Sequence, residues 1–291
     1  MNAKSVIFVA GTSRSGSTML NLILAQDPHG MALGEIHATI RPVKKHHFTA
    51  KMELKSNSDQ WSTIISRGPE ELYSNIFKEF PNLDFMVDSS KHAFWIRKQN
   101  QNCANQQLNA KNVLIYKSPH ELANSFIKRK KNWIGPFVGY HRKYFSLVDE
   151  FYVVSYKDIV SNPSTLEGLC SYLDIPYSEK KFEYWEGSGN RFFGSKTPAR
   201  KSEIRYDAPN RPGLDDVVSS AMEANPQIQE VLNVLESCKN GIVRAGSKPQ
   251  KQLALSGSVI RLHSLKYALD GWMKHVFPKK LISIDNDLST E

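Results

Sequence analysis

Apolar positions along the chain fall into two alternating periods. Short β-branched or aromatic runs stand at residues 6–10, 31–36, 83–87, 113–116 and 151–156. Runs of this length, bounded by polar or glycine-bearing stretches, predict buried strands. Between them lie residues at helical spacing: Met19, Leu20, Leu22, Ile23 and Leu24, then Ile64, Ile65, Leu72, Ile76 and Phe77, then Phe94, Trp95 and Ile96. Leu122 and Phe126 follow Pro119, which suits a first helical position, and Leu166, Leu169, Cys170 and Leu173 follow an Asn-Pro turn. Residues 214–224 and 228–238 add two more helical stretches. Strands alternating with helices predict an α/β fold of the P-loop type, with a central parallel sheet between two helical layers. Ligands of such sheets sit at the carboxyl ends of the strands. That rule gathers Arg14, Glu35, Lys91, Lys117 and Tyr156 into one region.

Away from these elements the pattern weakens. Residues 37–58 are basic, histidine-rich and aperiodic and read as a loop. Its His37, His46 and His47 lack the cysteine or carboxylate partners of a metal site, and no metal is expected. Gly187-Ser188-Gly189 lacks the third glycine and the preceding strand of a dinucleotide fingerprint. One domain is expected over residues 1–245. Residues 246–257 read as a linker, since the stretch through Gln252 has no apolar side chain to bury. Residues 258–291 form a basic amphipathic helix and tail, with Ile260, Leu262, Leu265, Tyr267, Leu269, Trp272 and Val276 as its apolar positions. Packing on the domain is the expectation for this helix, with a partner or peripheral membrane contact as the alternatives.

Charge narrows the ligand. Against 29 acidic residues stand 38 Lys and Arg, a net charge of +9, which favours anionic ligands. Lys111, Lys117, Lys128, Arg129, Lys130, Lys131, Arg142 and Lys143 fall in one stretch with the single Glu121. No apolar stretch is long enough to cross a membrane, and residues 5–10 run straight into a polar loop where a secretory leader would need its apolar core. Cys103, Cys170 and Cys238 are too few and too widely spaced for a disulfide framework. A soluble cytoplasmic protein is expected.

The loop Gly11-Thr12-Ser13-Arg14-Ser15-Gly16-Ser17-Thr18 carries the chemistry. A glycine-bounded turn between a strand and a helix N-terminus turns backbone N–H groups and the positive end of a helix dipole toward an anion. Its glycine spacing is that of a nucleotide-binding P-loop, but Ser17 stands where the lysine belongs and Arg14 supplies a cation inside the loop. A phosphoryl-transfer enzyme needs that lysine, so a P-loop nucleotide-dependent kinase, with Asp88 holding magnesium, is the second reading. A non-enzymatic binder of nucleic acid or anionic polymer is the third. No basic-aromatic repeat or stacking motif supports it, and no nucleic-acid partner is expected.

With these residues assembled, the chain resembles the sulfotransferases that use 3′-phosphoadenosine-5′-phosphosulfate (PAPS), and the bacterial and tyrosylprotein-type branch more than the cytosolic aryl branch. Residues 11–18 match that family's 5′-phosphosulfate loop. Leu33-Gly34-Glu35 matches the place of its catalytic glutamate, and Val87-Asp88-Ser89-Ser90-Lys91 its Asp-Ser-Ser-Lys element. Lys117-Ser118-Pro119 through Ser125 and Arg129 matches the 3′-phosphate element, and Tyr156-Lys157-Asp158-Ile159 a Tyr-Glu-Asp-Leu motif. The matches run in order over about residues 5–176, with a fainter one at Gly194-Ser195. Two positions depart from the family: Lys117 replaces an arginine fork with a point charge, and Gly194-Ser195 replaces Gly-Asn.

The resemblance implies a sulfotransferase with Glu35 as general base and with Arg14 and Lys91 as catalytic cations. Residues 11–18 would hold the 5′-phosphosulfate, and Lys117, Ser125, Arg129 and Tyr156 would contact the nucleotide. His37 or His92 are the alternative bases, as histidine serves in the cytosolic branch. The acceptor is expected to be a hydroxyl or amine, and the basic stretches lean toward an anionic glycan or a lipid-linked saccharide.

Overall fold

The computed structural model describes residues 4–42, 47, 51–52, 58–184, 206 and 208–276, with the backbone alone for 269–276. His46, Gly187–Gly189, Gly194-Ser195 and the tail after Val276 lie outside the described residues, as do the side chains of Leu269, Trp272 and Val276.

Five strands run parallel: β1 (Ser5–Ala10), β2 (Gly30–Gly34), β3 (Phe85–Asp88), β4 (Asn109–Tyr116) and β5 (Glu150–Ser155). A sixth, β6 (Gly241–Arg244), pairs antiparallel with β5, giving the order β2-β3-β1-β4-β5-β6. The sheet is therefore mixed where a parallel one is expected. β6 offers only Val243 to the core, too short a pattern to read from the sequence.

Every residue of β1 is buried, and its side chains alternate between two cores. Val6, Phe8 and Ala10 face one core and Ile7 and Val9 the other, as the two-residue strand period requires. The second core is covered by α1 (Ser17–Leu24) and, from further along the chain, by Leu166, Leu169, Cys170 and Leu173. The first is covered by α2 (Ile36–Ile40), α3 (Asp59–Ser66), α4 (Leu72–Glu79), α5 (Ala93–Asn105), α6 (Pro119–Ile127) and α7 (Ile134–Leu147). β5 leads into α8 (Tyr156–Ser161) and α9 (Pro163–Leu173), the helix that carries those four residues. α10 (Leu214–Ala224) and α11 (Pro226–Ser237) return to the first core through Leu214, Val218, Ile228 and Val231.

Two local expectations change, and the packing expected of the last helix is seen. The start of the supposed loop at 37–58 is the helix α2, anchored by the buried Ile36. The supposed linker contains α12 (Lys248–Leu253), docked by the fully buried Leu253 at its last position, just past the polar stretch that suggested a tether. The last helix, α13 (Gly257–Val276), packs Ile260 and Tyr267 on the first core and leaves Leu262 and Leu265 exposed.

β1 is the switch point of the sheet. The chain leaves it toward β2 and β3 on one side and later takes up β4 and β5 on the other. The loops after β1 and β4 diverge there and open a crevice at the carboxyl ends of the strands.

Candidate active site

The turn after β1 is built by glycine. Gly11, Arg14 and Gly16 all take positive φ, at 154°, 73° and 98°. A Cβ on Gly11 would strike the Ile115 carbonyl oxygen and the Ser15 hydroxyl, and one on Gly16 would lie 2.5 Å from the Tyr156 ring. Neither position can carry a side chain. Gly16 precedes α1 without a side chain to cap it, so first-turn N–H groups remain for another acceptor. Ser15 Oγ is buried with no hydrogen-bond partner among the described residues. An uncapped helix start, a cradle that a Cβ would fill and an orphaned hydroxyl together fit an anionic group.

The loops after β2 and β3 are pinned to one another by the Asp-Ser-Ser-Lys stretch. Asp88 is buried and its two oxygens are taken by four donors: Ser90 N at 2.7 Å and the Ser90 hydroxyl on Oδ1, Tyr73 Oη at 2.7 Å and Trp95 Nε1 at 3.0 Å on Oδ2. Burial pushes its pKa up, and these hydrogen bonds pull it back. Ser89 N donates to Gly34 O at 2.8 Å, and Ser90 Oγ accepts from His37 N at 3.0 Å. Lys91, at φ 62°, then turns its ammonium onto Glu35 Oε1 in an ion pair. A carboxylate surrounded by four fixed donors is a structural anchor, which removes Asp88 from the magnesium-holding role that the kinase reading gives it.

Beyond β4 and β5 stand Lys117 and Tyr156. The Lys117 ammonium lies 3.9 Å from the centroid of the Tyr156 ring. Burial lowers its pKa from the usual lysine value, Glu121 opposes that shift, and Arg14 adds to it. Ser118 caps α6 in a reciprocal box with Glu121, with Pro119 at the first helical position. Tyr156 opens α8, capped by Ser155, and so stands just past the strand it was expected to end.

These side chains meet. Arg14, Lys91, Lys117, Glu35 and Tyr156 share the wall of one cavity of about 790 Å³, with Ser13, Gly16, Ser17 and Thr18 from the loop. Gly11, Thr12 and Ser15 are buried and do not line it. Ser125 and Arg129 do not line it either. The Ser125 hydroxyl donates to Glu121 O at 3.0 Å, and Arg129 Nη1 to Ser125 O at 2.8 Å. His37 and His92 are also absent from the wall. Their rings stack at 5.3 Å, with Trp95 4.9 Å from His37 and Tyr267 4.7 Å from His92. A second cavity, of about 380 Å³, lies between α5 and α13 with Arg41, Arg97 and Lys98 in its wall. Among the described residues, no group of three or more His, Cys, Asp or Glu could hold a metal ion, and no helix is long and apolar enough to cross a membrane.

Four residues of the site have no counterpart in the sequence reading. Met19, Leu22 and Tyr184 give the cavity an apolar side; all three are half-buried and also pack against the second core. Tyr140, on α7, accepts a hydrogen bond from Gly11 N at 2.9 Å and donates one to Lys91 O at 2.6 Å. Nothing in the sequence around it marks that role.

The sulfotransferase domain of the curacin biosynthetic pathway aligns over 81% of this chain and 99% of its own length, at a TM-score of 0.51 and 15% identity. The sulfotransferase domain of the Synechococcus PCC 7002 olefin synthase aligns over 81% and 94%, at 0.51 and 16%. The chain has a sulfotransferase fold. No family model matches the sequence, and neither does any curated protein. At such low identity the likeness is one of sulfotransferase architecture, and the chemistry has to be argued from the side chains.

Proposed function

We propose that the protein transfers a sulfuryl group from PAPS to a hydroxyl or amine acceptor, in the manner of the tyrosylprotein-type branch. One observation carries the reading: three cations, Arg14, Lys91 and Lys117, and the carboxylate Glu35 converge on one cavity beside a glycine-built anion loop. When bound, PAPS supplies a sulfuryl group already activated by a phosphate leaving group. The glycine cradle, the N–H groups of the first turn of α1, and the Ser17 and Thr18 hydroxyls suit its 5′-phosphosulfate. Lys117 suits its 3′-phosphate.

Glu35 is the proton acceptor in this scheme. Held by Lys91, it is oriented at the cavity wall with one oxygen engaged. Movement of the Lys91 ammonium to a second anion frees that oxygen to take the acceptor's proton, a role worth roughly 10²- to 10⁴-fold. Arg14 and Lys91 would stabilise the negative charge that develops on the leaving phosphate, a task for preorganised cations. Ser125 and Arg129 belong to the 3′-phosphate element only if they exchange their present backbone partners for the ligand.

The acceptor we favour is an anionic glycan or a lipid-linked saccharide. The exposed run Lys128-Arg129-Lys130-Lys131 and the basic wall of the second cavity support that class. The cytoplasm is the proposed location, and α13 is the segment that would meet a membrane if the acceptor is lipid-linked.

A thermal-shift comparison tests the donor. Adenosine 3′,5′-bisphosphate without magnesium should raise the melting temperature, by about 2.7 kcal/mol of stabilisation at a hundredfold excess over its Kd. Stabilisation by MgATP alone would return the reading to a kinase. Binding that falls steeply with salt and ignores Arg14→Ala would return it to a polymer binder.

A further inference from the structure

We infer that Tyr140 is a positioning residue whose hydroxyl couples the anion loop to the Lys91–Glu35 pair, so that the two halves of the site hold one register. The inference rests on the reading of that pair as the reacting groups.

The hydroxyl has one proton and acceptor lone pairs, and it uses both kinds of site. It accepts from Gly11 N at 2.9 Å and donates to Lys91 O at 2.6 Å. Each partner belongs to a residue that the backbone holds in an uncommon conformation, Gly11 at φ 154° and Lys91 at φ 62°. A lysine in the left-handed region lies outside any ladder, so its carbonyl must find a donor elsewhere. The phenol is that donor. Two residues on, the chain enters α5, so the direction of the Lys91 side chain depends on where this carbonyl is tied.

Tyr140 can hold both loops because it does not move with either. It stands on the 14-residue helix α7, its ring stacked on Tyr144 at 6.2 Å and edge-on to His141 at 5.8 Å. Burial pushes its pKa well above that of a free phenol, so the bridging proton stays in place through the neutral range. The Gly11 N–H is turned away from the cavity by this bond: it is an anchor of the loop, while the groups nearer α1 remain for the anion. A displacement of about 1 Å in a reacting group can cost on the order of 100-fold in rate, so a link that fixes Lys91 relative to the donor loop acts on turnover more than on binding.

The test is Tyr140→Phe, which keeps the ring and removes both hydrogen bonds, measured alone and combined with Lys91→Met. The expected result is a fall in kcat of about tenfold or more with the KM for PAPS within about threefold, and less than about a twofold further fall when Lys91 is already Met. An unchanged kcat, a loss confined to KM, or the same loss in both backgrounds would overturn the coupling. Should the native protein transfer no sulfuryl group to any acceptor, the sulfotransferase reading has failed, and the clamp is read without turnover. The native Tyr140 hydroxyl proton should then exchange slowly and show through-space contacts to the Gly11 amide in the magnetic resonance spectrum. A fast-exchanging hydroxyl there would overturn the clamp itself, whether or not Tyr140→Phe folds.

Discussion

The loop after β1 and the last turn of α6 hold the two sets of residues that the sequence assigns to phosphate, and they are built in opposite ways. The loop is incomplete by itself. Three of its residues sit at positive φ, two glycines leave no room for a Cβ, and the Ser15 hydroxyl is buried without a partner among the described residues. α6 is complete. Ser118 and Glu121 cap its start, the Ser125 hydroxyl is bonded to the carbonyl four residues back, and Arg129 closes on the Ser125 carbonyl. Strain and unmet polar groups persist only where the surroundings over-determine them, which is where ligands are held. A motif position and a prepared site are different things: Arg14 lines the cavity, whereas Ser125 and Arg129 would have to give up existing bonds to reach it.

The largest effect is expected at the Lys91–Glu35 pair. Glu35→Gln should lower kcat by about 10²- to 10⁴-fold while the affinity for adenosine 3′,5′-bisphosphate, measured by calorimetry, stays near the native value. Near-native turnover would move the base elsewhere, with His37 and His92 the next to examine.

Gly16→Ala comes next. The added methyl meets the Tyr156 ring at a φ of 98°, so stability should fall by about 1–3 kcal/mol and bisphosphate binding should be lost by tenfold or more. Full binding in this variant would show that the loop is no ligand cradle.

Lys117 gives a smaller effect with a definite sign. Its pKa is lowered in the fold, first by burial. Below that lowered value the ammonium is charged in both folded and unfolded chains. Between it and the ordinary lysine value of 10.5 the unfolded chain holds more protons, so stability of the ligand-free protein rises with pH across that window. Binding of an anion runs the other way and should weaken as the pH climbs through the same window. Lys117→Arg, charged to about pH 12, should flatten the fall, and an unaltered pH profile would take Lys117 out of the binding site.

The smallest change is expected on α6. Ser125→Ala and Arg129→Ala should each alter bisphosphate affinity by less than about threefold, against tenfold or more for Arg14→Ala. A loss at Ser125 equal to that at Arg14 would mean that α6 rearranges on binding and that the two regions are alike after all.

Much of the site was legible because it lies where short, regular patterns end. The apolar runs located the five parallel strands, and a residue at the end of each run or within four positions after it lines the cavity: Arg14, Glu35, Lys91, Lys117 and Tyr156. Asp88 was legible as a motif residue and not as an anchor, since its four donors come from α4, α5 and its own loop. β6 and α12 were missed because each gives the core little more than one apolar side chain, Val243 and Leu253. Tyr140 was missed for a different reason. It touches Gly11 across 129 positions of sequence and Lys91 across 49, and no local pattern encodes such a meeting.

The sequence by itself determined the alternation of strand and helix, the glycine positions that force the anion loop, and the cation that stands inside it. These are local consequences of side-chain period and backbone sterics, which act within a few residues. The bonds that occupy Ser125 and Arg129 are local too, each reaching a carbonyl four residues back. Only the tertiary structure decided which residues became partners: Lys91 with Glu35, Lys117 with the Tyr156 ring, and Tyr140 with both loops. The order in which strands join the sheet sets those distances, and that order is a property of the whole packed chain.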